Sequence, residues 1–204
     1  MHMESKPDPA RHAEKMAKKK AARDKIMAGK TQEKGLLMVH TGKGKGKSTA
    51  AMGLAMRAIG HGMKVGIVQF IKGAWETGER DVLEAFPDLC EIKAMGEGFT
   101  WETQDRERDI AAAEAAWAAA CEMMANPDYS MVILDELNIV LRYDYLDLDS
   151  VLKTLASRRE GLHVVVTGRN AKDELIDAAD LVTEMAQIKR PFRDGVKAQA
   201  GIEF

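Results

Sequence analysis

Cysteine is scarce: Cys90 and Cys121 are the only two, and neither belongs to a paired spacing. That excludes a disulfide framework and a cysteine-built metal cluster, and leaves two reduced, packed thiols as the expectation. Aromatic residues make up only 5% of the chain, too few for the stacking platforms that hold single-stranded nucleic acid. No apolar run approaches the roughly 20 residues needed to cross a bilayer, so no membrane span is expected. The first thirty residues contain many Lys and Arg but no apolar stretch ahead of a small-residue cleavage site. A secretory leader is therefore not expected, and the cytoplasm is the expected compartment.

What is present is a globular balance, 46% hydrophobic and 30% charged over 204 residues, enough for one domain with its own core and a tail. The net charge of −2 conceals an asymmetry, because residues 1–34 hold ten Lys/Arg against five Asp/Glu while the rest holds twenty against twenty-seven. A basic arm of this kind is either a solvated helix or a contact for a polyanion or an acidic surface. The acidic body argues against nucleic acid as the partner. Asp8 before Pro9 forms a cap and first-turn pair, and the Ala/Lys/Arg/Met-rich run to about Met27 predicts a helix. Residues 1–34 thus read as a basic helical arm with a linker, and 35–204 as the main domain.

From Leu36 onward short apolar runs alternate with helical segments. Leu36–His40, Val65–Phe70, Leu89–Ala94, Met131–Leu134, Leu162–Val166 and Leu181–Met185 are the expected strands. Between them lie expected helices at Ser48–Gly60, Glu79–Ala85, Gln104–Ala125, Asp149–Arg158 and Asp173–Ala178, with Thr103 and Asp147 as caps. The alternation predicts an α/β fold, doubly wound around a mainly parallel sheet of six strands and of the P-loop NTPase-like (RecA-like) kind. Residues 187–204 receive no assignment.

The strongest local signal is Thr41-Gly42-Lys43-Gly44-Lys45-Gly46-Lys47-Ser48-Thr49, directly after an expected strand and opening an expected helix. In that context glycines turn backbone N–H groups around phosphate oxygens, the helix N-terminus adds positive potential, Lys47 lies along the phosphate chain and Ser48 ligates Mg²⁺. ATP is therefore the expected ligand. Thr41 occupies the position where the usual pattern has its first glycine, so the triphosphate can sit differently from that of an ordinary ATPase. The apolar run Met131–Leu134 ends in Asp135 and Glu136. An acidic pair there is either a helix cap or, beside a P-loop, a Mg²⁺ site of hard oxygen ligands. Cradle and metal specify the ligand but not the reaction, since kinases and ATPases use the same parts.

Several further blocks lie outside any general nucleotide motif: Gly60-His61-Gly62, Val68-Gln69-Phe70-Ile71-Lys72-Gly73, Gly98-Phe99-Thr100-Trp101-Glu102-Thr103, Leu134-Asp135-Glu136-Leu137 and Gly195-Val196-Lys197-Ala198-Gln199-Ala200-Gly201-Ile202. Taken with the P-loop, and in this order, they resemble the ATP:cob(I)alamin (corrinoid) adenosyltransferase family, P-loop enzymes acting on cob(I)yrinic acid a,c-diamide and related corrinoids. The similarity runs from the basic tail to the C-terminus. It implies transfer of the 5′-deoxyadenosyl group of ATP to cobalt(I), with tripolyphosphate leaving. It further implies that Lys45 and Lys47 act on the leaving group, that the phosphate chain is reversed, and that Phe99 and Trp101 press on the corrinoid and displace its lower ligand. From the residues alone those two aromatics equally anchor a loop in the core. A homodimer, with the N-terminal helix over a neighbour's active site, and an electron-donating reductase such as a flavoprotein complete the implied picture. Lys43 stands where the resemblance leads one to expect Asn or Asp. Lys189, Arg190, Arg193 and Lys197 either meet substrate or are solvated. The rival reading is a phosphoryl-transfer enzyme, a small-molecule kinase or an ATPase.

Overall fold

The computed structural model describes residues 8–71, 78–96 and 105–202. Its centre is explained by a run of apolar strands in which alternate residues face opposite sides. In β1 (Leu37–Thr41) Leu37 and Val39 face one core and Met38 the other. The same division holds in β4 (Tyr129–Asp135), where Val132 and Leu134 oppose Met131 and Ile133, and in β5 (His163–Thr167), where Val164 and Val166 oppose Val165. Strands buried on both faces need helices on both faces, the condition a parallel sheet imposes. Each fully buried Val, Leu or Ile contributes about 1.5–3 kcal/mol to that arrangement.

With β2 (Lys64–Gln69), β3 (Cys90–Ala94) and β6 (Leu181–Glu184) the sheet has six strands in the order β3-β2-β4-β5-β1-β6, every neighbouring pair parallel. One face is covered by α2 (Lys47–Ile59) and α3 (Gly78–Glu84), the other by α4 (Arg106–Ala125), α5 (Leu137–Arg142), α6 (Leu148–Ala156) and α7 (Asp173–Ala178). This is the doubly wound α/β arrangement expected. In α4 the buried set Ala113, Ala116, Ala120, Met123 and Met124 follows helical spacing. Its small residues let the helix sit close to the sheet, where a Cβ on Gly66 would lie 2.6 Å from Met123 Sδ.

Several boundaries differ from the sequence expectation. The cap of α4 is Asp105, whose side chain accepts from Arg108 N at 3.2 Å, while the expected cap Thr103 and first residue Gln104 lie outside the described residues. Asp147 caps α6 as expected, its carboxylate accepting from Ser150 N at 2.8 Å. The short helix α5, directly after the acidic pair, was not foreseen. In the stretch left unassigned the structure has a 3-10 turn at Pro191–Asp194. Among the described residues no helix is long and apolar enough to cross a membrane. Cys90 is buried, and burial followed by the nearby Glu84 carboxylate pushes its thiol up to about 11, which keeps it protonated at neutral pH.

The chain divides into two units, Met1–Glu33 and Lys34–Phe204. The first contains α1 (Pro9–Ala28), in which Asp8 accepts from Ala10 N at 3.0 Å and Pro9 opens the helix. No α1 residue is buried.

Candidate active site

Strand order determines which loops meet. β5 lies between β1 and β4, with His40 in register with Thr167 on one side and Leu134 with Val166 on the other. The segments leaving the C-terminal ends of β1, β4 and β5 therefore emerge side by side, the position at which parallel α/β sheets bind ligands.

The segment after β1 is the glycine-lysine loop. Gly42 and Gly46 have φ of 96° and 99°, a left-handed region costing an L side chain roughly 1–2 kcal/mol. Gly44 is required for a different reason: a Cβ there would lie 2.6 Å from Met185 O and 2.8 Å from Ala186 O. Its N–H donates to Met185 O at 2.6 Å, so the outer wall of the loop rests on the residues that follow β6. Gly46 caps α2 without a side-chain hydrogen bond and no acid occupies the first turn. The first N–H groups of α2 are thus left to whatever anion enters.

Lys47, the first residue of α2, is only 6% exposed. Its ammonium donates to Gly42 O at 2.9 Å and Gly44 O at 2.5 Å, which holds the cation across the loop it belongs to. Burial lowers its pKa below the usual lysine range; the Glu136 carboxylate works against that shift and the Arg169 guanidinium reinforces it. Thr41, the departure from the usual glycine, accepts from Ala171 N at 3.0 Å through its Oγ1. A glycine cannot make that link between β1 and the segment after β5. Lys43 and Lys45 are exposed, Ser48 is half-buried, and Thr49 donates to Glu79 Oε1 at 3.4 Å.

The two carboxylates after β4 have different surroundings. Asp135 is fully buried, with Oδ1 accepting from Thr167 Oγ1 at 2.7 Å and Oδ2 from Gln69 Nε2 at 3.2 Å. Glu136 is left-handed at φ 67° and its N–H donates to Thr167 Oγ1 at 3.0 Å. Its carboxylate is the one that acts electrostatically on Lys47. Thr167 thus holds both members of the pair with one hydroxyl, which donates once and accepts once. No three His, Cys, Asp or Glu among the described residues form a metal cluster. The oxygens of Ser48, Asp135 and Glu136 nonetheless suit Mg²⁺, which keeps several waters and takes one or two carboxylates plus phosphate oxygens.

Sequence reasoning missed Thr167, Gln69 and Asn138. Fully buried Asn138 donates to His40 O at 3.4 Å and Gly168 O at 3.1 Å, fastening the start of α5 to the other two segments. Gln69 stood in a quoted block without a role; Thr167 has only its position at a strand end as a signal. Phe99 and Trp101 lie outside the described residues. Among the terminal cations, Arg190 packs its guanidinium 4.9 Å from the Phe192 ring centre.

Residues 33–204 match the family described as ATP:corrinoid adenosyltransferase BtuR/CobO/CobP, and residues 3–27 match the N-terminal family of cob(I)alamin adenosyltransferases. A corrinoid adenosyltransferase of Sinorhizobium is 61% identical over 199 residues, covering 97% of this chain and 93% of the relative. One of Pseudomonas aeruginosa is 56% identical over 194 residues, covering 95% and 96%, and the corrinoid adenosyltransferase CobA of Salmonella typhimurium is 46% identical, covering 95% and 98%. With the phosphate cradle, the acidic pair and the match along the whole main domain in hand, the chain belongs to the ATP:corrinoid adenosyltransferase family.

Proposed function

We propose that the chain transfers the 5′-deoxyadenosyl group of ATP to the cobalt(I) of a corrinoid. The cobalt lone pair forms a bond to the ribose C5′, the C5′–O bond breaks with its electrons going to oxygen, and tripolyphosphate departs with one more negative charge. The observation that carries this reading is the cradle itself: a buried Lys47 held across its loop, at the uncapped start of α2 and within the electrostatic influence of the Glu136 carboxylate. The family supplies the acceptor. Cobalt(I) is the nucleophile, so the protein needs no activated serine or cysteine; its work is to orient ATP and stabilise charge on the leaving group.

In this reading Thr41, Gly42, Lys43, Gly44, Lys45, Gly46, Lys47, Ser48 and Thr49 surround the phosphates, with Lys45 and Lys47 as the catalytic cations. Mg²⁺, held by Ser48 with Glu136 and the better-anchored Asp135, supplies further positive charge to the phosphate oxygens. Phe99 and Trp101 face the corrinoid and favour a cobalt(II) without its lower ligand, which is easier to reduce. The basic arm 1–34 and the catalytic domain 35–204 form the working protein as a homodimer in the cytoplasm, supplied with electrons by a reductase such as a flavoprotein.

The deciding experiment incubates the protein with Mg-ATP and chemically reduced cobalamin without oxygen. Tripolyphosphate and a light-sensitive adenosylated corrinoid are expected; ADP and phosphate alone would install the phosphoryl-transfer reading instead. Trp101→Ala is expected to spare the reaction begun from cobalt(I) and to cripple that begun from cobalt(II) and a reductant. Equal losses in both would remove the role given to Trp101.

A further inference from the structure

We propose that Arg169 is a binding residue for the phosphate chain, contributed by the segment between β5 and α7 and closing the cradle opposite Lys47. The inference deepens the adenosyl-transfer reading and rests on it only for the identity of the leaving group. Neither the P-loop pattern nor the acidic pair points to this residue. Its place follows from strand order, which puts β5 between the strands that end in Thr41 and Asp135.

The path of the backbone around Arg169 is fixed on both sides. Gly168 has φ 129°, and a Cβ there would lie 2.8 Å from Asn138 Cβ and 3.2 Å from Glu136 Oε2. Its carbonyl accepts from Asn138 Nδ2 at 3.1 Å. On the other side Asn170 is left-handed at φ 53°, and Ala171 N donates to Thr41 Oγ1 at 3.0 Å. Two left-handed residues thus flank the arginine in a segment tied to Glu136's neighbourhood at one end and to the P-loop's first residue at the other. A surface arginine with no task does not require such anchoring of its backbone.

Charge supplies the second argument. Arg169 is exposed, and among the described residues it forms no ion pair, whereas Arg80 and Arg158 each hold a carboxylate. An exposed guanidinium on the segment tied to the P-loop's first residue is stabilised when a polyanion enters the cradle. Guanidinium suits that role because it remains charged and meets phosphate oxygens with a planar pair of N–H donors. As the C5′–O bond breaks, charge accumulates on tripolyphosphate, and a cation on this side of the chain stabilises the product oxygens beyond the reach of Lys47.

The test uses the full chain with no corrinoid, titrating Mg-tripolyphosphate and Mg-ATP calorimetrically into wild type, Arg169→Ala and Arg169→Lys. Loss of one charge-assisted phosphate contact is expected to weaken tripolyphosphate binding on the order of 10- to 100-fold in Arg169→Ala, with partial recovery in Arg169→Lys and no change in the urea midpoint. Lys153→Ala, an exposed charge on α6, serves as the control for net charge. Tripolyphosphate binding within twofold of wild type in folded Arg169→Ala, or an equal loss in Lys153→Ala, overturns the proposal. Should the wild type release ADP from ATP in the presence of reduced corrinoid, the adenosyl-transfer reading falls while this binding result still decides the role of Arg169.

Discussion

Replacing Thr167 by valine removes one hydroxyl and keeps the shape of a fully buried side chain. The hydroxyl serves two partners, donating to Asp135 Oδ1 at 2.7 Å and accepting from Glu136 N at 3.0 Å. A carboxylate deprived of a donor costs about 1.5–3 kcal/mol, and a buried N–H left without an acceptor about 1–3 kcal/mol. Two considerations reduce the sum: Gln69 still holds the other oxygen of Asp135 at 3.2 Å, and the new methyl is buried at a gain of roughly 0.8 kcal/mol. The expected net loss is about 2–4 kcal/mol, a large share of the roughly 5–15 kcal/mol that holds a domain together. Urea unfolding followed by circular dichroism reads it directly: with a slope of about 2–3 kcal/mol per molar the midpoint falls by roughly 1 M. Thr167→Ser, which keeps the hydroxyl, recovers most of the loss. A midpoint for Thr167→Val within about 0.2 M of wild type, where the slope above would give roughly 1 M, would refute the idea that this hydroxyl holds the acidic pair.

Three further outcomes follow from the loop and the helix it opens. Gly44→Ala, whose new methyl would meet the Met185 and Ala186 backbone at 2.6 and 2.8 Å, is expected to lose about 2–4 kcal/mol in the same unfolding assay through overpacking and a displaced hydrogen bond. Gly53→Ala, on α2 with nothing within 4 Å of the new carbon, gains about 0.5–1 kcal/mol; opposite signs check the placement of the loop against residues 185–186. Because the pKa of Lys47 is lowered in the free protein and a phosphate bound in the proposed site would raise it again, ATP affinity is expected to be full below the free-protein pKa and to decline as pH rises through it. Calorimetry in buffers of different ionisation enthalpy should find protons taken up on binding at alkaline pH; net release there would show that the sign is wrong.

The central strands β1, β2, β4 and β5 were legible because each is a short run rich in Val, Ile, Leu or Met, and the loop because glycine, lysine and serine follow β1 at the spacing a phosphate needs. Smaller features escaped for local reasons. Thr103 and Asp105 are both good caps two residues apart, and sequence alone does not arbitrate between them. Helix α5 is a single short run after an acidic pair, where a strand's end and a helix's beginning look alike. Gln69, Asn138 and Thr167 escaped for a deeper reason. Each acts across strands that are far apart in the chain: Gln69 reaches from β2 to β4, and the partnerships of Asn138 and Thr167 exist only once β5 has inserted between β1 and β4. Residue spacing carries no record of that insertion.

The departure at Thr41 and the segment after β5 have one explanation. In a loop that only wraps phosphate, the residue closing β1 needs no side chain. Here that residue is in register with Glu184 of β6, and its hydroxyl oxygen accepts from Ala171 N in the segment that follows β5. The side chain therefore couples the phosphate loop to the segment bearing Arg169, while Asn138 couples the same segment to the carbonyl of His40, one residue earlier. Two independent hydrogen-bonded ties converge on five residues that carry no secondary structure of their own. A connection without duty at the active end of the sheet would be free to vary in path. The ties fix its position against the cradle, and a positively charged side chain is what they bring there.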